Sequence, residues 1–227
     1  MSTVLLIPGL LSDRFVWEAV LERLPDAQVA DLSTQRHLSD MARDCLARHP
    51  GPLRLAGHSM GGRVAMEIAR LAPERVERLA LLDTGIHPLG EGERESRSEI
   101  VEFAHERGMA ALAERWLPPM VGPARRDDAV LMAGLCDMVL RMDPNLHERQ
   151  IRALVERPDA EAGLRHAHCP ILLLVGQDDE WSPVEQHEGM QRIAPHARLE
   201  VIPRAGHFAP VEQPDLVADL LVDFLIG

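Results

Sequence analysis

The chain has 227 residues, 46% of them hydrophobic and 26% charged, the balance of one soluble globular domain able to bury a sizeable core. Its formal net charge of −12 argues against a nucleic acid or an anionic membrane as partner, because both repel an acidic surface. Every basic residue is arginine and tyrosine is absent, which excludes a lysine Schiff base, a P-loop lysine and a tyrosine acid/base.

The N-terminal run Val4-Leu5-Leu6-Ile7 lacks a basic leader and is cut short by Pro8-Gly9. It is too short for a membrane span and wrongly flanked for a signal peptide, so it reads as a buried strand. Strand-like runs follow at 28–31, 53–56 and 79–82, with helical apolar spacing between them at 15–24, 38–48 and 60–71. Val16, Val20 and Leu24 fall on one helical face, as do Val64, Ile68 and Leu71. Alternation of this kind predicts a parallel sheet with right-handed crossovers and helices on both faces.

From about Gly85 to His168 the alternation stops. The prolines Pro118, Pro119, Pro123 and Pro144 divide this stretch into amphipathic helices expected at 98–106, 110–116, 128–141 and 147–155. Strands return at 171–175 and 199–202, with helices near 184–193 and 214–226. The organisation expected is an α/β core of residues 1–84 and 169–227, interrupted by a helical insertion over 85–168. Cys45, Cys136 and Cys169 are scattered and odd in number, which fits a reduced, cytoplasmic compartment better than a disulfide framework.

Ser59 lies in Gly57-His58-Ser59-Met60-Gly61, between the strand at 53–56 and the helix at 60–71. A serine there sits on a tight strand-to-helix turn, with the positive end of the helix facing any oxyanion formed beside it. Side chains at 57 and 61 would collide across such a turn, and Gly62 lets the helix pack close. Activating the hydroxyl requires a base, and of eleven histidines His207 stands out because it follows the last strand, at the sheet edge where active residues of α/β folds gather. The carboxylate completing the set has three candidates at strand ends, Asp83, Asp178 and Asp179, and chain order does not choose among them.

Three stretches together resemble the α/β-hydrolase superfamily, in its branch of small bacterial serine hydrolases and esterases with a helical cap. They are Gly57-His58-Ser59-Met60-Gly61-Gly62, the run 176–183 (Gly-Gln-Asp-Asp-Glu-Trp-Ser-Pro) and the run 206–214 (Gly-His-Phe-Ala-Pro-Val-Glu-Gln-Pro). The resemblance covers nearly the whole chain and implies the α/β-hydrolase fold, with about six parallel strands and a helical cap inserted after the fourth. It assigns the acid to Asp179, leaving Asp178 as a variable neighbour and Asp83 as a non-catalytic residue. It also implies an oxyanion hole from the backbone amides of Leu10 and Met60, although Pro8-Gly9-Leu10 lacks the usual His-Gly pair. The stretch 150–159 looks like the cap-to-core junction, and the run at 28–31 lacks the usual Pro-Gly turn, which would shorten one pocket wall.

The activity implied is cofactor-free hydrolysis of a small or medium carboxylic ester or lactone through an acyl-enzyme, by a monomer or homodimer with a small-molecule partner. Carbon–carbon bond hydrolysis or a lyase step with the same triad is the first alternative; a ligand receptor retaining the triad is the second. A serine rather than an aspartate at position 59 disfavours dehalogenase and epoxide-hydrolase chemistry. His166, His168 and Cys169 have metal-binding residue types but lack a second ligand pair, so no metal site is expected. His58 and His87 are read as surface histidines, with lining of the pocket mouth as the alternative, and Met109, Met120, Met132, Met138 and Met142 as packing or an adaptable lid. Arg125-Arg126-Asp127-Asp128 reads as a solvated loop, while Trp17 and Trp181 are both candidates for a pocket wall.

Overall fold

The computed structural model describes residues 2–227. Six strands form one sheet: β1 (Thr3–Ile7), β2 (Gln28–Val29), β3 (Leu53–His58), β4 (Val76–Leu82), β5 (Ile171–Gly176) and β6 (Arg198–Ile202). Their spatial order is β2-β1-β3-β4-β5-β6, and every neighbouring pair is parallel. β5, read in sequence as an unbroken apolar run, is buried at all six positions because helices cover both faces. β2 is shorter than the expected 28–31; it is an edge strand, and past Val29 only the Ala30 amide continues the pairing, to the Leu6 carbonyl.

The core helices are α1 (Glu18–Arg23), α2 (Leu38–Arg48) and α3 (Met60–Leu71). Four more form the insertion: α4 (Glu93–Trp116), α5 (Ala129–Leu140), α6 (Pro144–Val155) and α7 (Glu161–Arg165). The chain returns to the core with α8 (Val184–Ile193), α9 (Ala209–Glu212) and α10 (Pro214–Ile226). α1 packs on α10 at one face of the sheet and α2 on α3 at the other, while α8 covers β5 and β6. α4 joins the two helices expected at 98–106 and 110–116 and breaks between them at Gly108, whose φ of 80° only glycine adopts freely. Its first turn is charged and carries no apolar period, so its start at Glu93 was not readable. The helix expected at 15–24 instead begins with a 3₁₀ turn at Arg14–Trp17, capped by Asp13.

The cap helices lie between β4 and β5, which places the insertion after the fourth strand. Among the described residues no helix is long and apolar enough to cross a membrane. One of the two tightest glycine approaches in the core is at Gly61, where a β-carbon would meet the Ile7 carbonyl and lie 2.6 Å from the Pro8 oxygen. Backbone on both sides leaves no side chain to yield, so Gly61→Ala is expected to lower stability by about 3 kcal/mol. A fall in the urea midpoint at unchanged slope would measure this; an unmoved midpoint would refute the packing argument.

Candidate functional site

The carboxyl ends of β1, β3, β4, β5 and β6 lie along one edge of the sheet and deliver the site. Past each strand end a ladder bond persists: the Ser59 amide donates to Leu82, Asp83 to Leu174 and Gln177 to Ile202. Ser59 itself has φ 54° and ψ −117°, a conformation that costs a non-glycine residue roughly 1–3 kcal/mol. The surroundings hold it there, since the Ser59 carbonyl accepts from the Gly62 amide and from Thr84 Oγ1 at 2.8 Å. The strain aims the side chain out of the sheet edge instead of into the helix.

His207 Nε2 lies 2.8 Å from Ser59 Oγ, and His207 Nδ1 lies 2.9 Å from Asp179 Oδ2. The other oxygen of Asp179 accepts the amides of Trp181 and Ser182, at 2.8 and 2.9 Å. Burial disfavours the charge on Asp179, but His207 and those two amides outweigh it and hold the carboxyl below the usual carboxylate range. An ionised Asp179 fixes the proton on Nδ1, which leaves Nε2 free to accept from the serine hydroxyl. Sequence order left three carboxylates open, and the structure brings Asp179 to His207. Asp178 is half-buried, with its amide turned to the Ala205 carbonyl.

Asp83 is fully buried, with Oδ1 accepting the Gly176 amide and Oδ2 without a partner. Burial, reinforced by the nearby Asp179, raises its pKa well above the usual value. Its 3.6 Å approach to His58 is no ion pair, because burial lowers the His58 pKa to about 3 and keeps that imidazole neutral. A raised folded-state pKa contributes stability at low pH that is lost as pH rises. Asp83→Asn is therefore expected to keep activity and to lose less thermal stability than the parent as pH rises above the ordinary carboxylate range. Parallel melting curves for the two proteins would contradict a neutral Asp83.

His58, expected at the surface, is instead buried, and its Nε2–H donates to the His207 carbonyl at 2.7 Å. The His207 amide donates to Met120 at 2.8 Å, so its peptide is fixed by the core on one side and by the cap on the other. Glu212 completes this bracing: its carboxylate accepts the amides of Gly122, Gly206 and Phe208, the last two flanking His207. Gln150 of α6 plays a similar part on the other side, its Oε1 accepting the Leu11 amide in the loop that carries Leu10. Neither role carried a local signal in the sequence.

Ser59 and His207 open into a cavity of about 430 Å³, within the range of small-molecule sites. Leu10 and Met60 line it beside Ser59; Met60 is the first residue of α3, so its amide has no intrahelical acceptor. Trp116, Met120 and Ile151 of the insertion also line it. Trp181 also lines the cavity and is 52% exposed, whereas Trp17, the other candidate, is buried in the core. Met120 thus reaches the site while Met109 and Met138 are core residues. Arg125 pairs with Asp128, which caps α5.

A model of the alpha/beta hydrolase family matches residues 4–220. A Bacillus subtilis (strain 168) protein provisionally named 2-succinyl-6-hydroxy-2,4-cyclohexadiene-1-carboxylate synthase is 28% identical, over 99% of this chain and 90% of that one. The pimeloyl-(acyl-carrier protein) methyl ester esterase of Nitrosomonas europaea is 29% identical over 85% of this chain and 83% of its own. Among solved structures, a thermophilic esterase from Thermogutta terrifontis superposes with a TM-score of 0.90 at 30% identity, covering 99% of this chain and 89% of that one.

Proposed function

The chain belongs to the α/β-hydrolase family, and from that premise we propose that it is a serine hydrolase of small or medium carboxylic esters or lactones. The observation that carries the reading is the unbroken relay Ser59–His207–Asp179, with bonds of 2.8 and 2.9 Å, opening into a cavity. Ser59 attacks the carbonyl as Nε2 of His207 takes its proton, and Asp179 stabilises the imidazolium that forms. The backbone amides of Leu10 and Met60 receive the developing oxyanion, each contributing about 3 kcal/mol to lowering the barrier. His207 then returns the proton to the leaving alcohol, and a water activated by the same ring releases the acyl group. Residues 85–168 act as a lid that shapes the acyl pocket over a core of 1–84 and 169–227. The esterase names of the Nitrosomonas and Thermogutta relatives support this reading.

The test is turnover of p-nitrophenyl esters of graded chain length, with mass-spectrometric mapping of a fluorophosphonate adduct. Ester cleavage with the adduct on Ser59 is the expected result; labelling elsewhere would sink the assignment. A lyase step or carbon–carbon bond hydrolysis by the same three residues is the second reading, favoured by the near full-length match to a Bacillus subtilis protein named as a synthase and not as a hydrolase. Activity on carbon–carbon substrates with none on any ester would put it first.

A further inference from the structure

The cavity above Ser59 carries charge that the acidic chain as a whole does not lead one to expect. Four arginines line it, Arg63, Arg97, Arg115 and Arg157, against two glutamates, Glu93 and Glu99. Arg157 is almost wholly buried and saturated: it grips both oxygens of Glu93 at 2.7 Å and spends its remaining donors on the carbonyls of Leu154, His87 and Pro88. Arg97 Nε donates a further bond to Glu93 at 2.7 Å. One carboxylate therefore already serves two guanidinium groups.

Among the described residues Arg63 has no ion pair of its own, and Glu93, the nearest opposing charge, is held by Arg157 and Arg97. It lies four residues after Ser59 on α3, roughly one helical turn or about 6 Å along the axis, and lines the same cavity. It is 8% exposed; Nη2 donates to the His87 carbonyl at 3.1 Å, while Nη1 is buried with no partner. Burial, and then the charge of Arg157, lower its pKa to about 9, which leaves it cationic at neutral pH. A buried cation with an unused donor is costly unless an anion arrives to meet it.

We propose that Arg63 forms an anion subsite and that the substrate is an acidic ester, with a free carboxylate at Arg63 while its ester or lactone carbonyl sits at Ser59. This rests on the hydrolase reading and narrows it to half-esters or lactones of dicarboxylic acids. A guanidinium suits that role because its parallel N–H groups match a carboxylate in plane and spacing.

The experiment compares p-nitrophenyl hemiglutarate with p-nitrophenyl valerate, a pair of like length differing in the terminal charge. The wild type is expected to favour the hemiglutarate at least tenfold in kcat/KM. Arg63→Met should reduce that ratio about tenfold or more, Arg63→Lys should lose less, and Arg165→Met, outside the cavity lining, should leave the ratio alone. A wild-type ratio of one or below, or an Arg63→Met ratio equal to the parent's, overturns the subsite. Thermal shifts of the wild type with glutarate and with neutral glutaramide keep the proposal testable if the Arg63 variants do not fold. Stabilisation by glutarate alone supports it, and equal shifts refute it. Cleavage of neither ester, with no label on Ser59, would count against the hydrolase reading, while the glutarate shift would still decide the subsite.

Discussion

Ser59→Ala is expected to lower kcat/KM for a p-nitrophenyl ester by about 10⁵-fold or more while leaving the melting temperature at or above the parent value. The kinetic loss follows from the chemistry proposed: without Oγ no acyl-enzyme forms, and only the oxyanion donors and binding remain to assist water. The thermal expectation follows from the backbone. Alanine at φ 54° meets the same strain as serine, and the Ser59 carbonyl and amide keep their bonds to Thr84, Gly62 and Leu82. The only bond removed is the one to His207 Nε2. Ser59→Ala combined with His207→Ala should cost little more than either alone, because the two act as one unit. Additive losses, multiplying to far beyond either single change, would show that the two side chains work independently.

Ser59, Asp179 and His207 stand out in the sequence because each follows a strand whose apolar run can be read locally, and because glycines mark the turns at 57, 61, 176 and 206. Their spacing in the chain encodes the sheet edge, so the fold and these positions come together. What holds them is another matter. Gln150 reaches the Leu11 amide across 139 residues, and Glu212 reaches Gly122 across 90. Such bonds depend on how the cap settles on the core, and no local pattern of residue types encodes that placement. The same holds for Arg63, which reads in sequence as an ordinary polar helix residue; its unmet charge appears only once Arg157 and Arg97 have claimed Glu93. His58 shows the converse failure, since a histidine beside a turn looks solvent-facing until β3 is seen to run through it into the buried edge. The gap between the helices expected at 98–106 and 110–116 coincides with the break at Gly108, whereas the charged turn before them carries no apolar period to read.

Asp179→Asn is expected to cost about 10⁴ in kcat with the fold intact, while Asp178→Asn changes little. The argument turns on which way the new amide must face. Oδ1 of Asp179 receives two backbone N–H groups, from Trp181 and Ser182, so an asparagine keeps its oxygen there. Its NH₂ group then occupies the place of Oδ2, 2.9 Å from His207 Nδ1, and two donors cannot share that line. The imidazole responds by moving its proton to Nε2, the nitrogen that faces Ser59 Oγ. In that tautomer it donates to the serine hydroxyl and has no lone pair with which to accept the proton from the attacking serine. The loss should therefore fall on kcat more than on KM, and it should shrink at high pH, where hydroxide partly replaces the missing base. Asp178 has no such leverage, because its side chain lies outside the relay and its amide bond to Ala205 survives the change. Steady-state kinetics of the two variants over a range of pH separates them. A large loss in Asp178→Asn with Asp179→Asn active would move the acid by one residue and would require the Trp181–Ser182 turn to present a different carboxylate to His207.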